Sequence, residues 1–290
     1  MLSIVMAHFK RETLLDRTLW AYRHYHSLDT LRDVEFIIID DDGGKSQHFW
    51  NVIAEHGKAL NIFATGIDEG TYCPCIPLNF AIKQARGNVV VITNPECLPF
   101  TKDLLDQIKK RITNNMYLSC ACYSLPYDVT QAMYMVDWKT KKYALTFLES
   151  IPIYDNMADG DGIPGWYNHS EYRPVNLHWC TAISREFLVA MGAFDEDFAM
   201  GFAYEDNDFA RRIANSGLRI QFANDLRVFH QHHYLPTYYT PERHAHIERN
   251  RVVCENKRYA GFVRNLGKKW GTLHNLPKRV ERWEDGKLCQ

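Results

Sequence analysis

The chain has 290 residues, 46% of them hydrophobic, enough to bury a sizeable core as one large domain or two fused halves. Its 34 Lys and Arg stand against 35 Asp and Glu, a balance that excludes the overall basic footprint of a nucleic-acid-binding protein. No apolar run reaches the roughly 18 residues a membrane span needs, and residues 1–7 are too short for a signal peptide, so a cytoplasmic protein is expected, soluble or peripherally attached to a membrane.

Residues 2–7 are a short apolar run rich in branched side chains, read as a buried strand, with His8 to Arg11 forming the loop at its carboxyl end. A helix is predicted over 12–25, with Leu15, Leu19 and Tyr22 on one face, followed by a strand over 34–39 that ends in Asp40-Asp41-Asp42-Gly43-Gly44. A strand–helix–strand start implies parallel pairing with a right-handed crossover. Ligands bind such sheets beyond the carboxyl ends of the strands, so both loops lie where a site belongs. Three consecutive carboxylates repel one another unless a cation or a hydrogen-bond donor uses them; a solvated acidic turn is the alternative.

Residues 61–64 suggest a third strand and 78–86 a helix, with Leu78, Ala81, Ile82 and Ala85 on one face. An unbroken apolar strand over 88–93 runs into Asn94-Pro95-Glu96. A further amphipathic helix (104–112) and strand (116–124) follow, and 128–148 has no clear pattern. Residues 149–178 read as a long loop whose aromatics argue against disorder and whose length points to function. Within it, Asp159-Gly160-Asp161 fails calcium-loop spacing and is read as a surface turn. Eight cysteines are present, and Cys73-Pro-Cys75 and Cys120-Ala-Cys122 lack the two-residue gap of common zinc sites; they read as small buried hydrophobes.

Residues 192–217 read GAFDEDFAMGFAYEDNDFARRIANSG: an acidic turn, then a helix beginning at Glu205-Asp206 with Arg211 and Arg212 outward and Gly217 placed to end it. Adjacent acids at a helix start are favoured by its unpaired N–H groups, which is one explanation of the pair. The other is a general base presented into a cleft by a Gly-containing loop. Strands over 218–222 and 226–229 end in His230-Gln231-His232-His233, and a polar, basic helix is predicted over 241–266. Residues 241–290 carry +6 and the remainder −7. That tail could meet an anionic membrane or a lipid-linked acceptor, or be a solvated helix that pairs with the acidic body or with a second subunit.

Taken in order, the acidic end of the second strand, the Ala85-Arg86-Gly87 turn before the strand that ends at Asn94-Pro95-Glu96, the strand 179–184 and the 192–217 motif resemble family-2-type inverting glycosyltransferases of GT-A fold. The resemblance covers residues 2–233 and implies an α/β fold with a mixed, mostly parallel central sheet flanked by helices. It also implies a GT-A domain over 1–234, with a nucleotide-binding half (1–124) and an acceptor-binding half (125–234), and a C-terminal helical extension over 235–290. By that match Asp206 is the general base and Glu205 positions the acceptor or the helix start. Ala7, His8, Phe9, Arg11, Asp40, Asp41, Asn79, Asn94 and Pro95 would bind a nucleotide-sugar donor, UDP-linked by the family's commonest choice, with Asp40 or Asp41 on the base. Where the family has Asp-x-Asp, Asn94-Pro95-Glu96 leaves Glu96 as a ligand for a divalent cation, Mn²⁺ or Mg²⁺. His230 would be a further ligand, and His232 and His233 ordinary turn residues. Trp179 and Glu205 would contact a glycan or lipid-linked glycan acceptor, as in polysaccharide synthesis, and the loop's aromatic pair Trp166 and Tyr167 either stacks on a sugar face of that acceptor or packs inward to hold the loop down. The missing second acid keeps a non-catalytic nucleotide-sugar-binding module open; a nucleotidyltransferase is the other alternative, disfavoured because residues 8–11 hold no glycine to cradle a triphosphate.

Overall fold

A computed structural model describes residues 1–160, 162–233 and 240–289. The expectations that touch Asp161 and the 234/235 domain boundary lie outside the described residues. The strands and helices alternate in the first half: β1 (Leu2–His8), α1 (Glu12–Tyr25), α2 (Leu28–Arg32), β2 (Val34–Asp40), α3 (Gln47–Gly57), β3 (Asn61–Gly66), α4 (Cys75–Gln84) and β4 (Val89–Thr93). There follow β5 (Cys97–Pro99), α5 (Leu104–Arg111), β6 (Met116–Ser124), α6 (Tyr127–Ala132), α7 (Lys141–Ser150), β7 (Gly165–Asn168), β8 (Cys180–Ser184) and α8 (Arg185–Ala190). The chain closes with α9 (Glu205–Ala214), β9 (Arg219–His230), α10 (Pro241–Asn256), β10 (Val280–Glu284) and β11 (Lys287–Leu288).

Among the described residues the strands form one sheet in the order β11-β10-β3-β2-β1-β4-β8-β6-β9-β5, with β7 on β6. The run β3-β2-β1-β4 is parallel, as the strand–helix–strand start dictates, and β6–β9 is parallel as well. The remaining pairings are antiparallel. Strands β1 and β2 are buried on both faces, and Leu15, Leu19 and Tyr22 of α1 are fully buried against them. Burying each such leucine contributes roughly 1.5–3 kcal/mol.

Register carries the functional consequence. His8 pairs opposite Asp40 at the ends of β1 and β2, and Cys97 of β5 pairs opposite His230 of β9. Residues more than a hundred positions apart are thereby set on one rim. Two segments differ from the sequence reading. The strands expected over 218–222 and 226–229 are one, β9, whose register on β6 jumps between Ala223 and Arg227; the polar interruption is a bulge, not a turn. The helix expected over 241–266 ends at Asn256, and Val280–Glu284 then pairs antiparallel with β3, adding an edge to the sheet. No described helix is long and apolar enough to cross a membrane.

The 192–217 motif is clamped to this C-terminal segment by buried charge. Arg212, expected outward, is among the largest fully buried side chains. It donates to Asp208 one turn earlier (2.7 Å) and to the Ala193 carbonyl (2.7 Å), so its charge is neutralised where it sits. Arg264 reaches Asp208 (2.9 Å) and Asp195 (3.1 Å), and Lys257 pairs with Asp195 and Asp197. The basic tail thus meets the acidic body within the same chain.

Candidate active site

The ends of β1, β2 and β4, the segment 177–179 and the start of α9 enclose a cavity of about 390 Å³. Its lining includes Ala7, His8, Phe9, Arg11, Asp41, Asn94, Glu96, Trp179, Glu205, Asp206 and His230 from the sequence expectations. Asp40 does not line it. Its Oδ1 lies 2.7 Å from His8 Nδ1, and its Oδ2 accepts the Gly44 N–H at 2.8 Å. The Arg11 backbone N–H donates to His8 Nε2 at 3.1 Å, so the His8 proton sits on Nδ1 and points at Asp40. Asp40 therefore fixes the loop, and Asp41 is the acid presented to the cavity. Gly66 lets the acidic loop cross close over β3; a Cβ there would collide with the Gly44 backbone.

Burial, reinforced by Asp40, Asp68, Glu69 and Asp42, pushes the Asp41 carboxyl up to about 8. At neutral pH it holds a proton, which lets it both donate and accept. Two further expected residues serve structure. Asn79, fully buried, donates to the Phe194 carbonyl (2.8 Å) and to Glu196 (2.9 Å), tying α4 to the acidic turn. The Pro95 carbonyl accepts from Thr18 at 2.7 Å, anchoring the β4–β5 turn on α1.

That turn presents Glu96, which is buried and gathers three partners. Arg11 Nη1 lies 2.9 Å from its Oε2; His233 Nε2 and His230 Nε2 lie 3.4 and 3.6 Å from its Oε1. Burial alone would raise the Glu96 pKa, but Arg11 and the two histidines outweigh it and hold the carboxyl well below its usual range. Burial pushes His233 the other way, down to about 4, against the pull of Glu96. The result is an ionised carboxylate beside a neutral imidazole, the protonation states a metal ligand needs. One ligand atom from each of Glu96, His230 and His233 lies within 4.8 Å of the others, so the donor set fits a divalent transition metal such as Mn²⁺. His233, expected to be an ordinary turn residue, belongs to this group. The turn after β9 folds it back onto Glu96, which the sequence signalled only as a third histidine in the run.

Across the cavity lining, the chain enters α9 through Ala203 and Tyr204, both left-handed (φ 60° and 69°). Two consecutive non-glycine residues there are strained, and the strain aims Glu205 and Asp206. Gly201 permits the approach of α10, since a Cβ would strike Asn250, which in turn holds the Phe198 and Ala203 carbonyls (3.0 and 2.9 Å). Burial and the adjacent Asp206 push the Glu205 carboxyl up to about 8, partly offset by a contact with the Cys73 thiol. Its Oε2 has no hydrogen-bond partner among the described residues.

Several lining residues were not singled out individually in the sequence. His178, buried with its Nδ1 unpartnered among the described residues, is kept neutral by burial against the pull of Asp206 and Glu96. Its signals were its place at the end of the long loop 149–178 and its neighbour Trp179. Tyr72, Phe202 and Arg243 also line the cavity, the last from α10. Trp166 and Tyr167 do not. Trp166 is buried edge-on against Tyr123, with ring centroids 5.2 Å apart, because β7 turns it into the core. Tyr167 stacks behind Trp179 at 5.2 Å and meets His230 edge-on at 5.0 Å, so it backs the site from the interior.

No protein-family model and no curated protein matches the sequence. Solved structures do. The mannosyltransferase PcManGT from Pyrobaculum calidifontis, in complex with GDP-Man and Mn²⁺, is 17% identical with a TM-score of 0.51, covering 88% of this chain and 64% of that one. TarS residues 1–349 from S. aureus, in complex with UDP-GlcNAc, is 14% identical with a TM-score of 0.54 over 87% of this chain and 65% of that one. GalNAc-T7, with UDP, GalNAc and Mn²⁺, is 16% identical with a TM-score of 0.53 over 87% and 48%. This chain spans less than two thirds of each. Such likeness is one of backbone: the protein has the GT-A fold, an α/β sheet of mixed pairing flanked by helices.

Proposed function

We propose that the protein is an inverting, nucleotide-sugar-dependent glycosyltransferase with Asp206 as general base. The observation that carries this reading is the single cavity that brings Asp206, at the strained start of α9, together with Arg11, Asp41 and the Glu96–His230–His233 group at the strand ends. In the reaction the acceptor hydroxyl gives its proton to the Asp206 carboxylate while its oxygen attacks the anomeric carbon. The C–O bond to the donor phosphate breaks with its electron pair, leaving a nucleoside diphosphate and an inverted linkage. Glu205 keeps its proton at neutral pH and so serves as a hydrogen-bond donor beside the base rather than as the base. Asp41, likewise protonated, can donate to and accept from the edge of the nucleobase, and Arg11 lines the same cavity. Glu96, His230 and His233 would hold a divalent cation, whose contribution is charge neutralisation on the departing diphosphate. Residues 1–124 supply the nucleotide side of the site and 125–233 the acceptor side, with α10 added to the latter.

GDP-Man, UDP-GlcNAc and Mn²⁺ in the similar structures support the donor class and the metal. The test is a panel of UDP- and GDP-sugars with Mn²⁺, Mg²⁺ or chelator, reading nucleoside diphosphate release and the anomeric configuration of the product. Release that needs the cation, with an inverted product, is expected. Tight nucleotide binding without release under any pairing would instead identify a binding module.

A further inference from the structure

The part of the cavity built by loop 199–204 and α10 has a composition of its own. Tyr72 is 41% exposed, and its ring centroid lies 5.2 Å from that of Phe202 and 4.1 Å from that of His246. The Arg243 guanidinium lies over the Phe202 ring at 4.2 Å. Tyr72, Phe202 and Arg243 line the cavity together with Ala203, Glu205 and Asp206. Two backbone bonds and one side-chain bond hold this wall in place: Tyr72 N–H to the Ala199 carbonyl (2.9 Å), Phe202 N–H to the His246 carbonyl (3.2 Å), and the His246 ring to the Met200 carbonyl (3.1 Å).

A guanidinium stacked on an aromatic face carries its N–H groups in its own plane, the geometry that grips a carboxylate or phosphate in bidentate fashion. Rigid rings beside it offer an apolar platform at little entropic cost. Arg11 lines the cavity among the strand ends, where it pairs with Glu96, and Arg243 lines it from α10. Arg243 stands over Phe202, four positions before Asp206 in sequence, and both line the cavity with Asp206. We propose that this wall is the acceptor subsite and takes a saccharide bearing an anionic group, a phosphate or a carboxylate, with the sugar ring on Tyr72 and Phe202 and the charge on Arg243. The assignment rests on the reading of Asp206 as the base. It also gives the C-terminal extension a role: α10 completes the site and selects the acceptor.

The experiment titrates the full chain, with and without UDP or GDP plus Mn²⁺, with methyl glucoside, methyl glucuronide and glucose 6-phosphate, read by calorimetry. Either charged sugar should bind at least about tenfold more tightly than the neutral one. Which of the two binds better distinguishes carboxylate from phosphate. Arg243→Ala should erase the preference, Arg243→Lys should retain part of it, and Tyr72→Ala should weaken all three sugars alike. Affinity for the nucleoside diphosphate should be unchanged in Arg243→Ala. Equal binding of the three sugars by the wild type overturns the proposal, as does a loss of nucleotide affinity in Arg243→Ala, which would put this arginine on the donor. Failure of the wild type to bind either nucleotide removes the glycosyltransferase reading instead, and the nucleotide-free titration then still decides whether the wall prefers a charged sugar.

Discussion

Glu96 on the β4–β5 turn and Glu205 at the start of α9 line one cavity, and burial raises the pKa of both, yet they end in opposite states. Glu96 is held well below the carboxylate range by Arg11, His233 and His230. Glu205 has no cation beside it, only Asp206, a thiol and backbone N–H groups among the causes of its shift, and rises to about 8. The dielectric is not the discriminator; the neighbouring charges are. On the proposed function, one region keeps an anion where a cation and a diphosphate would arrive, and the other keeps a proton beside the proposed base. Asp208, on the same helix as Glu205, repeats the contrast three residues on. Burial would raise it too, but Arg212 and Arg264 overcome that and hold it low, so it clamps the structure and takes no part in the cavity.

The contrast can be broken most severely at Asp206. Asp206→Asn keeps shape and removes the proton acceptor, so transfer should fall by about 10²–10⁴-fold while thermal unfolding and nucleotide binding stay as in the wild type. A wild-type rate in this variant would remove Asp206 from the mechanism.

Asp208→Ala attacks the clamp. It leaves Arg212 and Arg264 buried without their shared carboxylate, a change expected to cost about 3–5 kcal/mol in denaturant unfolding. Asp208→Asn, which retains hydrogen-bond acceptance, should cost less. Equal stability of the wild type and the alanine variant would mean that the tail is not held through this network.

At the anionic end, Glu96→Gln and His233→Ala should each weaken Mn²⁺ binding in the presence of nucleoside diphosphate by at least about 10–100-fold, measured by calorimetry or by electron paramagnetic resonance of the ion. His232→Ala is the control, since His232 is not in the cluster. If His233→Ala behaved like His232→Ala, the cluster would reduce to Glu96 and His230.

The smallest effect sharpens the comparison through pH. Glu205 has a folded pKa of about 8 against an ordinary 4.5, so between those values the native state binds more protons than the unfolded chain. Stability therefore falls as pH rises through that window, and is not recovered above it. Asp41, shifted from 3.8 to about 8, adds to the same slope. Glu205→Gln should flatten the decline, so that the gap in Tm between pH 5 and pH 8 is smaller than in the wild type. An identical pH profile would show that the Glu205 carboxyl is ionised in the folded protein.

The parts legible in the sequence are those set by local pattern. Continuous apolar runs gave β1, β2 and β4, heptad-like spacing gave α1, and an acidic helix start after flexible residues pointed to Glu205 and Asp206. The end of a parallel strand is a site position by topology alone, which marked the loops 8–11 and 40–44, while Asn94 and Glu96 were marked by the family resemblance. What tertiary structure decided is which side chains turn toward the cavity and which charges find partners. Asp40 and Asp41 are chemically identical neighbours, and only the β1–β2 register, setting His8 against Asp40, assigns one to structure and the other to the site. Trp166 and Trp179 are likewise equivalent in sequence, but β7 pairs with β6 and turns the first inward. His233 joins Glu96 through a turn that brackets no periodicity, and Arg243 arrives from a helix some 150 positions beyond Asn94 in sequence. Local propensity acts over a few residues, so it fixes elements and their ends; a site assembled from positions 7 to 243 depends on sheet register and buried charge pairing, which are properties of the whole chain.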